Sequence, residues 1–372
     1  MKKIAGIFIV LCLMFVSFPI YASASVAEIY NGQYQASGAD GLREEVPDET
    51  LDYMSDAGVG NPDNTLGDGF DTEKIISVIK EMTDGSVAAP FACCCSALVI
   101  SLLCSMCAGT WKSTAPAVNT VGGLLVCLSS ALPLVEFIAQ AGETVEKSCA
   151  FTAAFVPIYS AIMAVAGQPV TAAGYSGFAL VLNDVCVMSV GGVVFPILRI
   201  FLAMSIVASV GNDGALSRVS ELAGKSAKWI FGLSAALLAG ISALSSVTAA
   251  ATDHVTYKAA RYVLSSTLPI VGGSVSDAAA VVQGSVGVLR MSVGSFGIIA
   301  IAFIFLPQII KACVWLVFTN VSVLLAELLG AKNIVSLYKS MSAVLSMILS
   351  LLVFTAFLMI ISAAMTLGQV TL

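Results

Sequence analysis

Long apolar runs separated by short polar stretches fill the chain after residue 85. About 20 apolar residues in a helix cross the hydrocarbon core of a bilayer. On that basis the pattern predicts membrane spans at 91–109, 117–135, 149–167, 229–251 and 342–366. The acidic stretch 136–147 is predicted as a loop between the second and third of these spans. Residues 86–372 are therefore predicted to form an all-α, multi-span membrane domain.

Two apolar runs, 174–210 and 292–330, are too long for one upright helix and too short for two. Pro196 in the first run and Pro307 in the second predict broken helices, which membrane proteins tolerate where neighbouring helices satisfy the freed backbone groups. The runs open two similar units, 174–251 and 292–367, which flank a central stretch at 252–290. If each unit crosses the membrane an odd number of times, the two form an inverted repeat, as in many transport proteins.

The N-terminus has the three-part pattern of a secretory signal peptide. Lys2 and Lys3 precede an apolar run at 4–20, and small residues follow at 22–24, so residues 1–24 are predicted to be a signal peptide. An uncleaved anchor is the alternative. The polar, acidic residues 25–85 are predicted to be a disordered tether outside the cytoplasm, with a short helix at 72–82.

The composition agrees with a membrane protein. Only 11% of the residues are charged and 58% are hydrophobic, whereas a soluble globular protein has about 25% charged residues. The net charge of −6 is concentrated at one end, because residues 28–84 hold 14 of the 23 acidic side chains. The low isoelectric point therefore describes the predicted tether and not the membrane domain.

Charged and amide side chains inside the apolar runs are the candidate functional residues. Asp184 lies within the first long run, and Asn320 and Glu327 lie in the second. An aspartate in the middle of a bilayer costs about 2.5 to 3.5 kcal/mol on insertion scales and rarely stays unpaired. Arg199 and Lys311 are the candidate partners. The alternative is that these residues end their helices and extend to water.

Signs of catalysis are absent from the sequence. His254 is the only histidine, which excludes the multi-histidine zinc sites of hydrolases. No nucleotide-binding or nucleophile motif occurs, so neither an enzyme nor a metal or cofactor site is expected. Cys104 and Cys107 form a CxxC pair in an apolar run without a second pair, which favours packing over redox chemistry.

Glycines in the second half of the chain predict close contacts between helices. They are Gly272, Gly273, Gly284, Gly287, Gly294 and Gly297.

Three segments with a basic stripe beside an apolar one are predicted to be helices along the membrane surface. They are 213–228, 252–265 and 330–341. A solvated helix without a binding role is the alternative.

The central stretch carries the most specific pattern. It reads T-D-x-V-x-x-K-A-A-R-Y at 252–262, then L-P-I-V-G at 268–272 and S-D-A at 276–278. Together with Pro307 and the apolar C-terminal helix, this pattern resembles the stage III sporulation protein AE family of endospore-forming bacteria. The matching residues are Thr252, Asp253, Lys258, Arg261, Pro269, Gly272 and Asp277. His254 departs from the family pattern, where a small residue is usual, which argues further against catalysis.

The resemblance implies a multi-pass protein of the mother-cell membrane that faces the forespore. It implies a permease-like core subunit of the channel-like complex that joins the two cells and sustains spore development. The expected partners are the other membrane subunits of that complex, further copies of this chain and the lipid bilayer, but not nucleic acid. A stand-alone secondary transporter and a non-conducting membrane scaffold are the alternatives.

Overall fold

The computed structural model describes residues 24–59, 72–110, 115–210 and 272–367, with single positions at 225, 229, 232 and 236. Within these residues the chain is helical between short turns, and no strand occurs. Five helical stretches are long and apolar enough to cross a membrane, which confirms the all-α, multi-span prediction. The helices are α1 Ala24–Ala36, α2 Asp48–Asp56, α3 Thr72–Thr110, α4 Ala115–Val165, α5 Pro169–Cys186, α6 Phe195–Val210, α7 Gly272–Leu328 and α8 Lys332–Leu367.

The acidic stretch 136–147 is helical, so the predicted loop is wrong. It lies in the middle of α4, a single helix of 51 residues that contains both predicted spans. Leu134, Ile138, Ala141 and Val145 recur at helical spacing and are buried. The charged side chains of the stretch are exposed on the opposite face. Sequence reasoning treated the charges as a break in the span, although a helix carries charges on one face without interruption.

The predicted helix breaks at the prolines are also absent. Pro307 lies inside the continuous helix α7. Pro196 stands in the first turn of α6, which follows α5 through a π-helical segment, Val187–Val194. Proline cannot donate a backbone hydrogen bond, and neighbouring groups in a bundle satisfy the carbonyl that it leaves free. At Pro133 in α4 this is visible, because the freed carbonyl of Ser129 accepts a hydrogen bond from the Cys93 thiol of α3 at 3.8 Å.

Tight turns ending in left-handed glycines join neighbouring helices. Gly167 between α4 and α5 has φ 87°, and Gly330 between α7 and α8 has φ 72°. The next residue in each case donates its N–H to the carbonyl five positions earlier, Gln168 to Met163 and Ala331 to Ala326. This is the Schellman arrangement that ends a helix and reverses the chain. The pairs α4–α5 and α7–α8 are therefore antiparallel hairpins.

Helix α4 runs antiparallel to both α5 and α7. Tyr159 of α4 packs against Tyr175 of α5, and Cys149 lies beside Asn183, so rising numbers in one helix meet falling numbers in the other. Phe155 meets Gly297, and Phe137 meets Trp315, in the same sense against α7. Helices α5 and α7 thus point the same way. They begin the two units of the predicted inverted repeat, which requires opposite directions, so the described residues do not support that repeat.

The predicted disordered tether is folded over residues 24–59. Leu42, Val46 and Met54 are buried there, and the Ser285 hydroxyl of α7 donates to the Gln33 side chain of α1 at 2.9 Å. Burial, followed by nearby carboxylates, raises the pKa of Tyr53 in α2. The buried residues of 24–59 form a small apolar cluster that packs on the helical bundle. This contact stabilises a segment whose composition alone suggests disorder. The predicted signal peptide lies almost entirely outside the described residues.

The predicted surface helix 330–341 is the first part of α8 and not a separate element. Ile334, Leu337, Tyr338 and Met341 are buried on one side of it. The other two predicted surface helices, 213–228 and 252–265, and the predicted span 229–251 lie almost wholly outside the described residues.

Candidate polar site

The charged residues singled out in the first apolar run do not pair with one another. Asp184 on α5 and Arg199 on α6 are both exposed, and no ion pair joins them among the described residues. They are 15 residues apart along a helical path, which corresponds to about 22 Å at 1.5 Å per residue. Lys311 on α7 is half-buried. The candidate pairing of these cations with the acids of the runs does not occur among the described residues, which agrees with the alternative that the residues extend to water.

Glu327 and Asn320 lie near the α7–α8 turn and bond to α8. Glu327 forms an ion pair with Lys339 at 2.6 Å, and both side chains are exposed. The Asn320 oxygen accepts a hydrogen bond from the Ser342 hydroxyl at 3.0 Å, while its NH₂ group donates to the Leu316 carbonyl. These contacts hold one end of the hairpin together. They correspond to the alternative in which the residues sit at a helix end near water.

Most of the family-like central motif lies outside the described residues, namely Thr252, Asp253, Lys258, Arg261 and Pro269. Gly272 and Asp277 lie in the first two turns of α7. The helix-break candidates Pro196 and Pro307 lie within continuous helical structure, as described above.

A belt of charged residues circles the middle of the bundle, and the structure brings three predicted residues to it. Asn183 lies level with Cys149, which places Asp184 near the height of Lys147. Gly142 lies against the Phe195 ring, so Arg199, one turn further on, is near the height of Glu136. Gln308 donates to the Phe137 carbonyl at 3.3 Å, so Lys311 lies within the same range. We call this set the charged belt; it comprises Glu136, Glu143, Glu146, Lys147, Asp184, Arg199 and Lys311.

Uncharged helix segments extend from the charged belt in both directions. On the side of the α7–α8 turn they are 85–110 of α3, 115–135 of α4 and 312–326 of α7, which we call the apical half. On the side of the α4–α5 turn they are 148–165 of α4, 169–183 of α5 and 291–310 of α7, which we call the basal half. The polar interior described next belongs to the basal half.

Hydroxyl and amide groups line a cavity inside the basal half. The Ser148 hydroxyl donates to the Met359 sulfur at 3.0 Å, and the Thr152 hydroxyl donates to the Ser148 carbonyl at 2.8 Å. The Asn183 side-chain oxygen and the Ser362 hydroxyl are buried without a hydrogen-bond partner among the described residues. The cavity measures about 10 Å³, which is room for roughly one water. It is lined by Thr152, Phe155, Tyr175, Ala179, Leu182, Asn183, Ile301, Met359, Ser362 and Ala363.

Arg290 is the buried polar residue that sequence reasoning missed as a site. Its side chain is 2% exposed, and its guanidinium donates to the Gln168 side chain in the α4–α5 turn at 2.6 Å. A charge buried in the bundle needs such hydrogen bonds. A lone arginine before a long apolar stretch was the available signal, but it looked like the end of a span.

Close helix contacts surround this interior. Phe151, Phe155 and Tyr159 stack along α4. A Cβ at Gly297 of α7 would lie 2.4 Å from the Phe155 ring, and one at Gly294 would lie 2.9 Å from the Tyr159 hydroxyl. The prediction of close contacts is confirmed for these two glycines. It is wrong for Gly284 and Gly287, where an added Cβ would meet nothing within 4 Å.

The side chains of this polar interior take part in packing and hydrogen bonding. The described cysteines are free thiols, and no group of three or more His, Cys, Asp or Glu side chains suited to a metal ion occurs in the described part of the chain. At the α3–α4 contact the Cys104 thiol lies 3.6 Å from the Val118 carbonyl. Small, polarizable side chains of this kind fit close helix crossings.

Fold and site together define a polytopic helical membrane protein with a polar interior in one half of its bundle. A family model described as "Stage III sporulation protein AE (spore_III_AE)" matches residues 66–369. The chain therefore belongs to the stage III sporulation protein AE family. It is similar to stage III sporulation protein AE of Bacillus subtilis (strain 168), with 23% identity over 161 residues. That alignment covers 43% of this chain and 40% of the relative's length. No solved structure matches the chain.

Proposed function

We propose that this chain is a membrane subunit of the channel complex that joins the mother cell to the forespore during spore development. Family membership over residues 66–369 carries the proposal. In this proposal the chain lies in the mother-cell membrane, faces the forespore, and forms a permease-like core to which the other membrane subunits bind. Its residues have no catalytic role, and its folded N-terminal segment lies outside the cytoplasm.

The polar interior of the basal half supports a role in passage or assembly. Buried hydroxyl and amide groups cost free energy in an apolar bundle unless they are hydrogen-bonded. Asn183 and Ser362 have no such partner among the described residues, so a plain anchoring bundle gains nothing from them. Unsatisfied buried groups of this kind point to a pathway or to contacts that another helix or subunit completes.

A subunit role is favoured over a stand-alone secondary transporter. The polar cavity in the basal half has room for roughly one water, far less than the few hundred Å³ of a typical small-molecule site. The described residues of a single chain therefore provide no chamber for a substrate at this place. In this proposal a pathway for a larger substrate forms between copies or between different subunits.

The experiment is complementation of a sporulating host from which the gene has been deleted. The full-length chain should restore heat-resistant spores and should co-purify in detergent with the other membrane subunits of the channel complex. Asp184→Asn and Arg199→Gln should each reduce spore yield by at least tenfold while the protein stays in the membrane. Intact sporulation in both variants, with co-purification retained, would instead support a non-conducting scaffold.

A liposome experiment separates the transporter alternative. The purified chain alone should move no solute across the membrane. Ion-dependent uptake that Asp184→Asn abolishes would contradict the subunit proposal and establish a secondary transporter.

A further inference from the structure

The bundle is too long for one bilayer. Helices α4 and α7 have 51 and 57 residues, which correspond to about 75 and 85 Å at 1.5 Å per residue. The hydrocarbon core of a bilayer is about 30 Å thick, and about 40 to 45 Å with its headgroups. Contacts between α4 and α7 run from Phe155–Gly297 in the basal half to Phe137–Trp315 at the apical edge of the charged belt. One bilayer therefore holds either the apical half or the basal half, but not both.

Exposed side chains indicate that the apical half is the one in lipid. Large aliphatic residues point outward there, among them Leu103 on α3, Leu128 on α4 and Leu324 on α7. In the basal half, α4 and α5 expose fewer large residues. The small exposed residues are Ala150, Ala153, Ala161, Ala164, Ala173, Gly174 and Gly177, and the larger ones are Pro157, Val165, Pro169, Val170, Leu180 and Val181. Helices approach one another closely at small residues, whereas lipid chains need none.

The N-terminal helices give a second reason. Asp48, Glu49, Asp52 and Asp56 are exposed in α2, and α1 is hydrogen-bonded to α7 at Ser285, beyond Arg290. Ionised carboxylates are not stable in hydrocarbon. The segment that carries them extends along the basal half, because α1 meets α7 at Ser285 while Tyr53 of α2 lies near the exposed Glu81 of α3, so this side of the basal half faces water. The exposed apolar surface of α4 and α5 in the basal half is then expected to be covered by protein.

We propose that the basal half stands outside the hydrocarbon core and that its exposed α4 and α5 surfaces pack against the basal half of a second copy of this chain. The apical half anchors each copy in lipid. The charged belt lies at the boundary between the two environments.

Charge complementarity identifies a second copy as the occupant. Copies related by rotation about the bilayer normal present the same residue at the same height. Arg199 on α6 lies within about one turn of the height of Glu136 on α4, and Asp184 lies near that of Lys147. All four side chains are exposed, and the ion pair of Lys147 joins it to Glu143, one turn away on its own helix. Placing α4 of one copy beside α5–α6 of the next therefore brings Glu136 to the height of Arg199, an opposite charge, while Asp184 comes to the height of both Lys147 and Glu146.

Disulfide cross-linking tests the proposed surface in the full-length chain with its native cysteines replaced. Two differently tagged chains are expressed together, one carrying Ala153→Cys on α4 and the other Val181→Cys on α5, which lie at matching heights in the basal half. We expect a covalent dimer that contains both tags. The control pair, Leu128→Cys and Val207→Cys, uses α4 and α6 in the apical direction, where both side chains are exposed. It should give at least tenfold less dimer.

Spin-label accessibility tests the location of each half without relying on cross-linking. A label at Leu128 should be reached readily by oxygen, which dissolves in lipid. A label at Ala161 should be reached poorly both by oxygen and by a water-soluble nickel chelate, because protein covers it. Oxygen access at Ala161 equal to that at Leu128 would place the basal half in lipid and overturn the proposal.

Charge exchange tests the orientation of the second copy. Glu136→Arg and Arg199→Glu should each lower the Ala153–Val181 dimer yield at least threefold, and the double variant should restore it. These residues are exposed, so folding is not expected to depend on them, and elution as a monodisperse peak verifies this. Losses that simply add in the double variant, or a dimer yield no greater than that of the control pair, would refute the contact.

Discussion

The apical and basal halves share the helices α4, α7 and α8 but differ in how much of each helix is covered by neighbouring helices. Helix α7 shows the difference within one element. No residue from Ser285 to Ala312 is exposed, whereas exposed residues recur every third or fourth position from Cys313 to Leu328. The basal half is thus packed on all sides of α7, as in a soluble protein core. The apical half has one face of α7 open to its surroundings, as expected for a helix in lipid.

This comparison teaches that the apolar character of a helix does not by itself identify what surrounds it. Both halves are uncharged and both satisfy the length criterion for a span. The sizes of the exposed side chains and the contacts of the N-terminal segment distinguish them. If the comparison is right, mutations that disturb packing should cost more in the basal half than at matched positions in the apical half.

The largest effect is expected at Gly297, in the basal half. Its added Cβ would lie 2.4 Å from the Phe155 ring, and overpacking of this kind costs about 3 kcal/mol. Gly297→Leu should therefore lower the free energy of unfolding by about that amount. The measurement is the midpoint of thermal unfolding in detergent. Gly284→Leu on the same helix meets open space and should be nearly neutral; equal effects would refute the packing argument.

A smaller loss is expected when Arg290 loses its neutral partner. Gln168→Leu removes the 2.6 Å hydrogen bond to a buried guanidinium, and hydrogen bonds to charged groups contribute about 1.5 to 3 kcal/mol. We expect a destabilisation of about 2 kcal/mol in the same thermal assay. Gln140→Leu, which removes an exposed contact to Glu136, is the matched control. A loss at Gln140 as large as that at Gln168 would show that burial of Arg290 is unimportant.

In the apical half, Gly122→Ala should cost only about 1 kcal/mol, because the obstacle is one thiol that can rotate. The added Cβ would lie 2.2 Å from the Cys104 sulfur. Combining Gly122→Ala with Cys104→Ala should recover most of the loss, since neighbouring substitutions are not additive. A loss as large as that of Gly297→Leu, or no recovery in the double variant, would contradict the looser packing assigned to this half.

The smallest effect is expected for the exposed ion pair beside the α7–α8 turn. Lys339→Gln removes the 2.6 Å contact to Glu327, with both side chains about half exposed. Such pairs contribute at most about 1 kcal/mol and are screened by salt. The unfolding midpoint should shift by a degree or less in measurements at 0.5 M salt. A shift as large as that of Gln168→Leu would indicate that this end of the hairpin is not in an aqueous environment.

The helical class of the protein could be predicted from the sequence because apolar length is a strong signal. Helix ends could not, since the predictions treated Glu136 and Pro307 as interruptions. A charged residue on an exposed face does not end a helix, and a proline is tolerated where neighbours satisfy the freed carbonyl. The folded N-terminal segment was missed for a related reason. Its buried residues are few, and docking on α7 stabilises them.

For the candidate site, residue types were predictable but partners were not. Asp184, Arg199 and Lys311 lie in one belt, yet sequence spacing alone does not give the relative heights of antiparallel helices. Glu327 bonds to Lys339 across a turn whose position depends on Gly330. Arg290 was overlooked because an arginine beside an apolar stretch usually ends it, and only the neighbouring turn supplies Gln168.

The π-helical segment between Asp184 and Arg199 has a mechanical consequence. A π turn contains an extra residue relative to an α turn, so Val187–Val194 stores a surplus of chain without interrupting the helix. If one residue of that surplus passes into α6, everything after it turns by about 100° about the helix axis. The cation would then swing to another side of the bundle while the carboxylate stayed in place. The direction in which Arg199 points is thus set by the winding of this segment together with the packing of α6, whose Leu198 and Leu202 are buried.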